Sequence, residues 1–156
     1  MRIFITIVLV IIGIFCFYDD SDPFYSDFDF QCRTVPLIKP SKIVSCNGLD
    51  GMWVLNPGYG DFGEKLESLD VIDSIIVGKY YNKYIQVPEN IDTTWFIFDT
   101  KQKITTSFSN ELDFNTSLFE LTNQKADFRL VSDLYLELID KKYLKWFPDE
   151  YKPDKQ

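Results

Sequence analysis

Hydrophobicity along this chain takes three forms: an unbroken apolar run at the start, short strand-like pieces in the middle, and helical spacing toward the end. Arg2 is followed by sixteen residues, Ile3 to Tyr18, relieved only by Thr6 and Gly13, and then by Asp19, Asp20 and Asp22. No soluble helix surface is this apolar. A span needs about 20 residues to cross about 30 Å of hydrocarbon, so the run reads as a short N-terminal transmembrane helix or signal anchor over residues 1–18. A cleaved signal is the alternative, although no A-x-A-like pattern of small residues follows the run. A lipoprotein signal fits less well, because Phe15 stands before Cys16 where such signals carry a small residue. With the positive charge before the run and the acids after it, the chain from about residue 19 onward is expected outside the cytoplasm, the periplasmic side of a single-pass protein.

Residues 19–41 mix acids and aromatics around Pro23 and then carry Pro36 and Pro40, as a juxtamembrane linker would, with Phe24 and Tyr25 at the bilayer interface. Strand-like pieces follow. KIVS (42–45) and MWVL (52–55) flank the turn dipeptides Asn47-Gly48 and Asp50-Gly51, and NPGYGDFG (56–63) reads as a loop. Residues 64–69 read as a helical turn or irregular chain, residues 70–79 as one strand, and residues 80–87 as another bent at Asn82-Lys83. Trp95 to Phe98 has the continuous apolar character of a strand covered on both faces, followed by a polar corner at 99–103 and a return strand at 104–108. Asp99 in that corner is read as an acceptor for backbone amides and Thr100 as its support.

Beyond residue 109 the spacing becomes helical. Leu112, Leu118, Phe119 and Leu121 suit a helix capped by Ser109. Residues 131–146 predict the clearest helix outside the membrane, with Ser132 or Asp133 as cap and Leu134, Tyr135, Leu138 and Ile139 as its stripe. The pattern as a whole predicts an α+β domain over 42–149, mostly antiparallel sheet with a C-terminal helix, and a charged tail at 150–156.

Composition narrows the chemistry. A net charge of -8 disfavours nucleic acid, which needs clustered Lys and Arg, and favours a basic protein partner. The chain has no histidine, which removes Ser-His-Asp and Cys-His catalysis and the commonest metal ligand. Cys16 lies in the apolar run, leaving Cys32 and Cys46 either to pair in an oxidising compartment or to be buried as separate thiols. G-Y-G-D-F-G lacks the following helix of a phosphate loop. Asp70, Asp73, Asp92 and Asp99 would need to converge in pairs before carboxylate hydrolysis became possible. Asp19, Asp20 and Asp22 lack the spacing of a calcium loop. No catalytic, cofactor-binding or metal-binding residue is therefore assigned. Trp53, Tyr59, Tyr80, Tyr81 and Trp95 suit either a core or a protein-binding face, since Trp and Tyr dominate interface hot spots; taken residue by residue they are expected in the core, and together they are the candidate interaction surface.

SIIVGK (74–79), WFIFDTK (95–101) and LYLEL…KWFPD (134–149) resemble a group of small bacterial exported or membrane-anchored proteins of unassigned function. In that group a strand ending I-x-G precedes Y-F-x-x-D-T-x-T-G, and a Y…R…W-F-D element closes the domain. Gln102-Lys103 stands here where the group has Thr-Gly. The resemblance implies architecture and location and transfers no catalytic residue. The expected function is that of a membrane-anchored binding or accessory protein, an immunity-type or envelope interaction module held in the membrane by residues 3–18. The alternatives are an extracytoplasmic carboxylate hydrolase and a structural subunit of a membrane complex.

Overall fold

The computed structural model describes residues 23–26, 32–58, 65–81 and 93–153. The expected anchor at 1–18 lies outside them, and among the described residues no helix is long and apolar enough to cross a membrane. The elements run α1 (Pro23–Ser26), β1 (Arg33–Pro36), β2 (Lys42–Ser45), β3 (Val54–Asn56), β4 (Lys65–Ile72), β5 (Ile75–Tyr81), β6 (Thr93–Asp99), β7 (Ile104–Phe108), α2 (Glu111–Thr122), β8 (Arg129–Leu130), α3 (Val131–Lys141) and a 3-10 turn at Asp149–Tyr151. The strands form two antiparallel sheets, a three-stranded one ordered β1-β2-β3 and a five-stranded one ordered β7-β6-β5-β4-β8. The class is α+β, mostly antiparallel.

Alternation along the central strands divides the interior in two. Leu66, Leu69, Val71, Ile76, Tyr80, Phe96 and Phe98 share a core with Val35, Ile43 and Leu55 of the small sheet and Leu134 and Leu138 of α3. Ile72, Ile75, Val77 and Ile97 pack instead with Phe114 and Leu118 of α2. Consecutive residues Phe96, Ile97 and Phe98 are thus all buried, which is why β6 reads as an uninterrupted apolar run.

Several boundaries differ from the sequence reading. Residues 65–69 belong to β4 (65–72) rather than to a helical turn or irregular chain, and what reads as a single strand over 70–79 is a hairpin turning at Asp73-Ser74. Asp73 takes φ 51°, a left-handed conformation that Asp tolerates better than β-branched neighbours would. The linker over 19–41 contains structure, because Arg33–Pro36 pairs with β2, and Tyr25 is buried against Phe147 and Tyr151 rather than left free for a bilayer. Tyr151 in turn draws the start of the expected tail into the fold.

The helix caps differ as well. Asn110, not Ser109, caps α2: its Oδ1 accepts from the Asp113 amide at 2.8 Å while its Nδ2 donates to Asp113 Oδ2 at 2.6 Å. α3 begins straight from β8 with Leu130 as N-cap and no side-chain capping bond, and it ends at Lys141 with Lys142 left-handed. Had it continued, its period would have carried Phe147 to the side opposite Val131, Leu134 and Leu138, and Leu144 about a third of a turn away from Leu138. Breaking the helix lets both side chains reach the core instead.

One ion-pair group ties β8 to α3. Arg129 Nη1 donates to Glu137 Oε2, and Lys141 Nζ donates to Glu137 Oε1 at 3.0 Å. The Arg129 hydrogen bond, followed by that from Lys141, lowers the Glu137 pKa below the usual carboxylate value. The carboxylate therefore adds stability above its unfolded pKa of about 4.3 and loses that contribution as pH falls through its lower folded value. Because both cations are more than a third exposed, the expected gain is below about 1 kcal/mol. Glu137→Gln should be less stable than the native chain by that margin at pH 7, and the two should converge in denaturant titrations at acid pH. A gap that stays constant across pH would assign the effect to packing.

Candidate functional site

Asp70 sits in the middle of β4 with only 3% of its surface exposed. Its Oδ1 accepts from the Val71 amide at 2.7 Å and receives Lys145 Nζ at 2.5 Å, while its Oδ2 accepts from the Asp127 amide at 2.8 Å. One carboxylate thus joins β4, the segment leading into β8, and the chain beyond α3. The cleft above it has a volume of about 490 Å³ and is lined by Asp73, Lys125, Asp127, Lys145, Trp146 and Lys152 among others. Lys152 is itself paired with Asp149 at 3.3 Å.

The cleft gathers two of the four aspartates whose convergence the sequence left open, Asp70 and Asp73. Asp92 lies outside the described residues. Asp99 is elsewhere, with its Oδ1 accepting from the Lys101 and Gln102 amides at 2.8 and 3.0 Å, so it closes the β6–β7 corner as a turn acceptor. Thr100 fastens that corner to the β4–β5 hairpin, its amide and hydroxyl both donating to the Ser74 carbonyl at 3.1 and 2.8 Å. Among the described residues no group of three or more Cys, Asp or Glu side chains is placed to hold a metal ion.

Asp70 is engaged on both oxygens by groups of its own chain, which is the arrangement of a bridge rather than of a base awaiting a substrate. Asp70→Asn would weaken the Lys145 contact and turn an NH₂ or a neutral oxygen toward donors that now meet a charge. The expected loss is about 2 kcal/mol, in the range for hydrogen bonds to a charged group. Denaturant unfolding checks it, and an unchanged midpoint would remove Asp70 from the framework of the fold.

Of the five aromatics of the candidate surface, the described side chains are those of Trp53, Tyr80 and Trp95. Trp53 is buried, packs on Tyr135 at 5.6 Å between ring centres, and donates its Nε1 hydrogen to the Leu49 carbonyl at 3.0 Å. Tyr80 is buried and stacked on Phe96 with 4.6 Å between centres, because it follows Ile76 on the core face of β5. Trp95 is partly buried against the second core. Tyr81 ends β5, opposite Lys65 and Thr93, and Tyr59 lies outside the described residues. Trp53 and Tyr80 are thus core residues, the placement expected of each taken singly, and are not available to a contact surface.

Exposed large apolar side chains among the described residues are Met52, Ile104, Leu130, Leu136 and Ile139, together with Leu112, Phe119 and Leu121 on α2, where the most exposed of them lies. Phe114 and Leu118, four residues apart, are fully buried against β6 and the rest of the second core. Leu112 and Phe119, seven residues apart, fall at 3.6 residues per turn on the opposite side, and they are 76% and 52% exposed. The two side chains stand about 10 Å apart along the axis, from a rise of about 1.5 Å per residue. Asp113 and Glu120, also seven apart, run beside them, and α2 contains no Lys or Arg. The signal was present in the sequence as Leu-Asp at 112–113 and Phe-Glu at 119–120. It is hidden among the other apolar residues of the helix until the core-facing side is known.

Comparison with protein-family profiles, curated proteins and solved structures finds no match to this chain.

Proposed function

We propose that the chain is an anchored, extracytoplasmic binding or accessory protein, an immunity-type or envelope interaction module whose contact surface is the outer side of α2. The observation that carries this reading is the pair Leu112 and Phe119, two large apolar side chains turned to solvent on a helix whose core contacts are already made by Phe114 and Leu118. Two large apolar side chains held in water two turns apart on one side of a helix are surface that a partner helix would gain by covering. The disulfide between Cys32 and Cys46 supports an oxidising compartment, and the apolar run behind Arg2 supplies the tether. A carboxylate hydrolase is the weaker reading, since the buried Asp70 already spends its acceptors on Val71, Asp127 and Lys145.

Two measurements on the full chain test this. A reporter enzyme active only outside the cytoplasm, fused after Gln156, is expected to be active, and silence there would overturn the location. A photo-reactive residue at position 119 is expected to give a discrete cross-linked species that the same residue at exposed Thr105 does not. Equal products from both positions would overturn the assignment of the surface.

A further inference from the structure

We infer that the partner of α2 is a protein surface with an apolar row flanked by Lys or Arg, best supplied by a basic amphipathic helix. This rests on the reading of α2 as the contact surface and adds the chemistry of what covers it. The outer side of the helix carries two parallel rows with one spacing: Leu112 and Phe119 form the apolar row, and Asp113 and Glu120 form an acidic row one residue on. Leu112 and Phe119 lie one heptad apart with an acid after each, the spacing at which a helix presents apolar contacts to a partner helix and selects it through flanking charges. The complement of this helix is a second one with its own apolar seam and the opposite charge beside it.

Charge decides among the possible occupants. A second copy of the chain would bring acidic rows together between molecules that each carry a net charge of -8, so self-association on this side is opposed. A bilayer with anionic lipid would meet the same acids and repel them, whereas membrane-surface helices place Lys and Arg on their polar side. A basic protein helix satisfies both rows at once. Steering by the acidic field also speeds its encounter, and that gain falls with salt.

The test uses the full chain in non-ionic detergent and two designed model helices that share one heptad-spaced Leu seam, the first flanked by Lys and the second by Glu. Fluorescence anisotropy should show the Lys helix binding at least tenfold more tightly than the Glu helix, with affinity falling as salt rises. L112S/F119S should weaken the Lys helix at least tenfold without shifting the unfolding midpoint. E120K, which touches no cap, should weaken the Lys helix and strengthen the Glu helix. If both helices bind the native chain equally and both are lost in L112S/F119S, the surface stands and the basic partner is overturned. If L112S/F119S binds the Lys helix as the native chain does, the α2 surface itself is overturned. Self-association, or binding to anionic vesicles, that disappears in L112S/F119S would replace the basic partner with a second copy or a membrane.

Discussion

Replacing Phe96 with alanine will lower the stability of the domain by about 3–5 kcal/mol, the range for removing a fully buried aromatic ring from a core that cannot close around the gap. Phe96 is fully buried in the central strand pair of the larger sheet, opposite Gly78 in the β5–β6 register, and its ring stacks on Tyr80. The ring lies over Gly78 itself. A Cβ added there would fall 2.6 Å from Phe96 Cζ and 2.9 Å from Leu66 Cδ1, too close for either to remain where it is. Gly78→Ala in the native background is therefore expected to cost about 1–3 kcal/mol by overpacking, despite the better strand propensity of alanine.

The two substitutions should not add. Once Phe96 is replaced by alanine, a methyl group introduced at position 78 enters space the ring has left, so the double variant should be more stable than the sum of the single losses predicts. Chemical denaturation of the four proteins in the cycle checks this. Strict additivity would mean that the glycine is not held by the ring above it.

The second large effect concerns the covalent link. Cys32 and Cys46 immediately flank the terminal register pair Arg33↔Ser45 of the β1–β2 hairpin, with 4.3 Å between their Cα atoms, so the bond closes the open end of that hairpin. It encloses a loop of sequence separation 14, for which the chain-entropy model gives about 3 kcal/mol. C32A/C46A, or reduction of the native chain, is expected to lower the melting temperature on the order of 10 °C for a domain of this size. Mobility on reducing and non-reducing gels identifies the starting state. A double variant as stable as the oxidised protein would show that strand pairing alone holds the hairpin ends.

Much of the β6–β7 hairpin was legible because its determinants are local. The apolar run Trp95 to Phe98, the polar corner and the return strand stand in the sequence in the order in which they pair, and Asp99 caps its own corner through amides two and three residues away. The same holds for KIVS and its return strand, which pair as β2 and β3. The β4–β5 hairpin was missed although its turn is just as short. Asp73-Ser74 interrupts an apolar series without Gly or Pro, and Asp70 within β4 looks like a solvated acid until Asp127 and Lys145 are brought to it from the far end of the chain.

The proposed contact surface separates along the same line. By itself the sequence determined the order of apolar segments, the absence of histidine chemistry, the acidic charge and the corner role of Asp99, since each depends on composition or on neighbours a few residues away. Only the tertiary structure decided which aromatics are core, which side of α2 faces the sheet and what Asp70 binds. A helix with apolar residues on two sides has no preferred inward side until another element covers one of them. When Ile72, Ile75, Val77 and Ile97 claimed Phe114 and Leu118, Leu112 and Phe119 were left facing water.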